Sequence, residues 1–191
     1  MKNNRQEQTR LCLGVVTLAL LAFIGNVTSA GDKQTVTHRV TGLFSPDRED
    51  DLRLLLADKI PEVTLVSVDF ESSEARFTYD ADLLFNRPKP EQVVERFDNL
   101  LRSHSRGTFG IRSVCAIPKD QLKQIEIPIV GLDCKGCCLA VYETIYKIEG
   151  VEQAAVSFKD GRITARINPD RVDRAALEEA LKKRGVTLGT P

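Results

Sequence analysis

Residues 126–148 read EIPIVGLDCKGCCLAVYETIYKI, and residues 37–60 read THRVTGLFSPDREDDLRLLLADKI. With Gly42-Leu43 set over Gly131-Leu132, both stretches carry an alternating apolar run, a glycine turn and a helical stripe. After one extra residue in the first copy the match continues, VTLVSVDFESSEARFTYDAD from Val63 falling over VEQAAVSFKDGRITARINPD from Val151. Phe70 then lies on Phe158, Tyr79 on Ile167 and Asp82 on Asp170. Self-similarity of this kind marks a duplicated supersecondary unit.

Each copy predicts the order strand, helix, strand, strand, helix, strand. In the second, Ile125, Ile127 and Ile129 alternate with the period of a half-buried strand, and the chain turns at Gly131. Val141, Ile145 and Ile148 follow at helical spacing. Residues 151–158 and 162–167 predict a hairpin around Lys159-Asp160-Gly161, where Asp-Gly suits the tight turn. Asn168 or Asp170 is the expected cap of the next helix, with Val172, Ala176, Leu177, Ala180 and Leu181 on its buried side. In the first copy Ser45 is the expected cap of a helix opened by Pro46, and Leu52, Leu55, Leu56 and Ile60 form its stripe. A second helix is expected over 91–103 and a closing strand over 108–117. Two helices on one face of a four-stranded antiparallel sheet form the split βαβ arrangement. The fold class is therefore α+β, with tandem ferredoxin-like βαββαβ units at 34–117 and 124–191 joined by a linker at 118–123.

Residues 1–30 stand apart. Lys2, Arg5 and Arg10 precede an apolar run from Leu11 to Ile24, and Thr28-Ser29-Ala30 closes it, the layout of a secretory signal peptide cleaved after Ala30. The run is short beside the ~20 apolar residues of a membrane span; an uncleaved anchor, which would tie the protein to a membrane, is the alternative. The expected product is periplasmic or secreted. The chain carries 27 basic and 27 acidic side chains; the leader holds three of the former and one of the latter, leaving 24 against 26. That balance supplies no basic stripe for phosphates, so nucleic acid is not an expected partner. Cys115, Cys134, Cys137 and Cys138 remain after the leader. Outside the cytosol such thiols end as disulfides or metal thiolates unless buried, and three of them clustered in GLDCKGCC point to a site. A metal pair, a redox pair and core packing all fit that spacing.

The second copy resembles the heavy-metal-associated domain, a family that includes copper chaperones, a periplasmic mercury-binding protein and the amino-terminal domains of metal-exporting P-type ATPases. Its Gly-Met-x-Cys-x-x-Cys loop and downstream Glu-Gly-Val are matched here by Gly131-Leu132-Asp133-Cys134-Lys135-Gly136-Cys137 and Glu149-Gly150-Val151. The resemblance spans residues 124–188. It implies Cys134 and Cys137 as metal ligands, and Leu132 as a packing anchor in place of methionine. Asp133 is implied as a third ligand, as in the zinc-, cadmium- and lead-exporting branch. In the first copy Phe44, Ser45 and Arg48 align with Asp133, Cys134 and Cys137, which is a degenerate repeat without the cysteines.

Cys134 in the loop and Cys137 in the first helical turn can converge on one ion, with the helix dipole favouring thiolate and Lys135 adding positive charge. Two thiolates suit Cu(I), Zn(II), Cd(II) or Hg(II) and disfavour Ca(II) and Mg(II). Zn(II) prefers four ligands, which Asp133 and Cys138 would help to complete. Cys138 points about 100° from Cys137 around the helix, so its joining requires a frayed first turn; its other role is a small apolar residue under the loop. Lys182, Lys183 and Arg184 are expected beside the loop. Cys115 is expected as a buried strand thiol and His38 as a core histidine.

The expected function is an exported, non-enzymatic protein that captures one such ion on Cys134 and Cys137 and transfers or sequesters it. A metal-transporting ATPase or another thiol-bearing acceptor is the expected partner. The alternatives are a thiol-disulfide protein using the same pair, or an interaction protein with a relict site. No Ser/His/Asp constellation, paired-carboxylate site or phosphate loop supports an enzyme.

Overall fold

The structure, a computed structural model, describes residues 32–190; the leader and the cleavage site after Ala30 lie outside the described residues. In the first repeat β1 (Gln34–Thr41) leads to α1 (Arg48–Lys59), the hairpin β2 (Thr64–Asp69) and β3 (Glu74–Tyr79), the short α2 (Ala81–Phe85), α3 (Val93–Ser105) and β4 (Gly110–Arg112). The second runs β5 (Lys123–Val130), α4 (Lys135–Tyr146), β6 (Val151–Ser157), β7 (Arg162–Ile167), α5 (Arg174–Lys183) and β8 (Thr187–Leu188). The two sheets are ordered β2-β3-β1-β4 and β6-β7-β5-β8, antiparallel throughout. This is the tandem ferredoxin-like arrangement.

Alternation places the cores. Ile125, Ile127 and Ile129 face inward from β5 and meet Val141 and Ile145 from α4 and Leu177 and Leu181 from α5. In the first repeat Val40, Ala75, Phe77 and Tyr79 meet Leu52, Leu56, Phe97 and Leu101. His38 is a core histidine, its Nε2 2.8 Å from the Tyr79 hydroxyl. Among the described residues no helix is long and apolar enough to cross a membrane.

Element ends depart from the sequence-based expectations. Ser45 and Pro46 form a turn before α1, in which the Arg48 N–H donates to the Ser45 carbonyl at 3.0 Å; Asp47 takes the cap position, with no side-chain cap bond. Asn168 spends its side chain on the Asp170 N–H within a turn. α5 therefore starts later, at the cap Asp173, whose carboxylate accepts from Ala176 N–H at 2.9 Å. β4 is three residues long rather than ten, Gly110 to Arg112 pairing with Arg39 to Thr41 at the end of β1. Cys115 consequently lies beyond the strand, half-buried in a 180 Å³ cleft lined by Arg39, Glu152 and Gln153, and is not a core thiol.

Both sheets fall within one compact unit, and a seam joins them. Phe44, 4% exposed, belongs to the core of the second repeat. Its ring centroid lies 5.7 Å from that of Tyr142, and its carbonyl accepts from Val156 N–H at 2.7 Å. Gly42 N–H donates to the Tyr142 hydroxyl at 2.9 Å. Arg39 pairs with Glu152 and Arg166 with Glu71, while the Arg112 guanidinium sits 4.5 Å above the Tyr146 ring.

Candidate metal centre

β5 ends at Val130, and Gly131 turns the chain with φ +84°, in the region glycine tolerates best. Leu132 is half-buried against the second core and pins the loop from below. Cys134 is the N-cap of α4, with extended backbone angles of −148° and 156°; its Sγ accepts from the Cys137 N–H at 3.1 Å. Sulfur thus takes the place that Ser, Thr, Asp or Asn usually fills, among the unpaired N–H groups of a first turn. The Cys137 thiol donates to Asp133 Oδ1 at 3.3 Å. The donor atoms of Asp133, Cys134 and Cys137 all lie within 4.8 Å of one another, the one such converging group of three or more His, Cys, Asp or Glu among the described residues.

The pair is electrostatically unequal. Cys134 is lowered below the ordinary thiol value, first by the hydrogen bond from the Cys137 thiol and then by that from the Cys137 backbone. Cys137 is pushed up to about 11, because its proton is held by Cys134 and by Asp133. In the geometry Cys134 Sγ accepts from the Cys137 N–H while the Cys137 thiol donates to Asp133, so a cation binding both sulfurs would have to displace the proton on Cys137.

The sequence profile of the heavy-metal-associated domain matches residues 126–186. Residues 126–186 belong to that family. Among curated proteins, a zinc-transporting ATPase of Synechocystis is 30% identical over 70 residues, which is 37% of this chain and 10% of that protein. A copper-exporting P-type ATPase of Bacillus subtilis is 33% identical over 66 residues, 35% of this chain and 8% of that protein. The chain therefore spans about a tenth or less of these two relatives. Among solved structures, the amino-terminal domain of a potential copper-translocating P-type ATPase from Bacillus subtilis, in its Cu(I)-loaded state, is 33% identical with a TM-score of 0.34; the match covers 35% of this chain and 84% of that one.

Within the heavy-metal-associated domain Asp133 and Cys134 are exposed and Cys137 is half-buried, whereas Cys138 is 2% exposed and part of the core. Cys138 N–H donates to the Cys134 carbonyl at 3.0 Å, so the first turn is intact, and the Cys138 sulfur is not among the converging donors. Burial pushes the Cys138 thiol up. Arg184 to Thr187 line an open 450 Å³ groove with Gly131, Leu132 and Cys137, which brings Arg184 beside the loop as expected. Lys183 instead pairs with Glu179 at 2.8 Å. The Lys135 ammonium is engaged by Asp47 at 2.6 Å and does not turn its charge on the thiols alone.

Phe44 and Asp47 are the neighbours of this centre that the sequence does not single out. The one available signal is a large apolar side chain in a loop whose counterpart, Asp133, is polar and exposed.

Proposed function

We propose that the protein captures a soft or borderline metal ion on Cys134 and Cys137, with Asp133 as the third donor, and passes it on by ligand exchange. The convergence of those three donor atoms within 4.8 Å carries this reading. Cys134 supplies the entry thiolate, exposed at the helix cap; Cys137 gives up its proton as the ion arrives, and the Asp133 carboxylate that held that proton is freed to coordinate. Two thiolates and a carboxylate suit Zn(II) or Cd(II), while Cu(I) or Hg(II) would be held by the thiolates alone. Cys138 remains in the core as a packing residue.

Transfer proceeds through an intermediate in which a thiolate of the acceptor replaces Cys134 or Cys137. The matched relatives include zinc- and copper-transporting ATPases, which supports a metal-transporting ATPase or a similar thiol-bearing acceptor as the partner. The layout of residues 1–30 supports export to the periplasm or beyond, and the protein acts there as a binder without a reaction of its own.

Titration of the reduced protein with Cd(II), Zn(II) and Cu(I), followed by thiolate-to-metal absorption, tests this. One ion per chain is expected, abolished in Cys134→Ser and Cys137→Ser. Asp133→Ala is expected to weaken Zn(II) more than Cu(I). Binding no tighter than about micromolar, far weaker than a structural thiolate site gives, would sink the reading.

A further inference from the structure

In the first repeat the loop after β1 occupies the position that the thiol loop occupies after β5. Gly42 and Gly131 both take positive φ, +93° and +84°. Beyond that shared turn Phe44, Asp47 and Arg48 have each acquired a contact. Phe44, aligned with Asp133, leaves its own repeat and buries its ring in the core of the second, beside Tyr142 and in the cluster that holds Cys138. Its carbonyl closes a 2.7 Å bond to Val156 on the edge strand β6. Asp47, aligned with Gly136, reaches across to Lys135 at 2.6 Å, the residue between cap and thiol turn. Arg48, aligned with Cys137, folds back, its guanidinium 4.1 Å from the Phe109 ring centroid and its Nε 3.2 Å from the Gly42 carbonyl. Where an ion would sit, a cation of the chain itself fixes the loop.

We propose that the first repeat is an internal latch on the metal-bearing repeat, which keeps the first turn of α4 wound and so excludes Cys138 from the donor set. The latch deepens the metal-binding reading and rests on it for the ligand count, but not for the state of Cys138 in the metal-free protein. With the latch closed, α4 begins at Lys135, Cys138 stays in the core, and the ion meets two thiols and a carboxylate. Releasing Phe44 removes one wall of the cluster around Cys138 and the Asp47 contact on Lys135 together, and the short first turn can fray. The centre then offers three thiols, a donor set that holds Cd(II) and Zn(II) more firmly and gives them up more slowly. The first repeat thereby acts as a specificity element without contacting the ion.

The test uses the full chain, reduced and metal-free, as wild type, as Phe44→Ala, and as the double variant Glu71→Gln, Glu152→Gln. The double variant neutralises the carboxylates that pair with Arg166 and Arg39 across the seam and leaves both hydrophobic cores intact. Alkylation of each cysteine by N-ethylmaleimide is followed by mass spectrometry, with hydrogen exchange at Val156 as the report on seam opening. Cys138 is expected to react at least about tenfold faster in both variants, as a shift of ~1.4 kcal/mol in local opening gives, while Cys134 stays within about twofold. Cd(II) is then added as the probe. Its thiolate absorption per ion is expected to rise by about half, from two sulfurs to three, if coordination follows thiolate count. An unchanged Cys138 rate in a variant whose Val156 amide has lost protection would overturn the latch. Failure of Cd(II) to bind the wild type would instead overturn the metal reading, and the alkylation rates alone would then decide the latch.

Discussion

The inequality of the two thiols leads to a measurable order of attack. Cys137 is raised to about 11 by the acceptors Cys134 and Asp133, so at pH 7 roughly one molecule in 10⁴ carries its thiolate, against about three in 100 for an ordinary thiol of pKa 8.5. Cys134 is shifted the other way, which makes its thiolate the more abundant of the two. The less basic thiolate is also the less nucleophilic one, and a Brønsted coefficient of ~0.4–0.5 returns roughly half of that advantage, on a logarithmic scale, to Cys137. A net preference for Cys134 remains, because a coefficient below one never cancels the difference in thiolate population. Iodoacetamide in limiting amount at pH 7, with mass-spectrometric mapping of the products, measures it. In Asp133→Asn one acceptor of the Cys137 proton loses its charge, and the preference should shrink severalfold as Cys137 falls. Equal labelling of the two thiols in the reduced wild type would refute the assigned hydrogen bonds.

Replacing equivalent glycines should give unequal results. Gly42→Ala places a Cβ 2.0 Å from the Thr108 carbonyl oxygen, whereas at Gly131 nothing lies within 4 Å. Gly131→Ala should therefore lose only the ~1–2 kcal/mol of left-handed backbone strain and Gly42→Ala clearly more, compared by urea unfolding. Phe44→Ala should cost about 3–5 kcal/mol, the range for truncating a buried phenylalanine, unless the seam opens first, in which case the urea transition splits in two. His38, lowered by burial from 6.5, binds its proton more weakly folded than unfolded. Its contribution is fully present above about pH 6.5 and is lost as pH falls through the folded value. Urea midpoints at pH 8 and pH 5 should differ less in His38→Gln than in the wild type.

Much of the fold was legible because it is written twice. Ile125, Ile127 and Ile129 and their partners in α4 and α5 follow from period alone, and the duplicated glycine turn locates the thiol loop. Helix starts were less legible, since Ser45 and Asn168 are good caps whose hydrogen bonds are drawn into preceding turns. The strand expected over 108–117 keeps its alternation in the sequence, but the chain pairs with β1 only from Gly110 to Arg112 and then leaves the sheet, which the alternation does not encode. The burial of Cys138 followed from the 100° step of a helix once the first turn was known to be wound. The seam was not legible: Phe44, Arg39 and Asp47 find their partners about 90 to 113 residues away, and no local period encodes such contacts.

The shared turn at Gly42 and Gly131 has a further consequence. In the first repeat it stands without a thiol in the loop, held by backbone geometry and packing, so the corresponding turn in the second repeat has no need of a metal to create it. The ion meets a loop whose ordering entropy was settled during folding. The binding free energy of an ion captured as proposed would then be available for coordination rather than for shaping the chain.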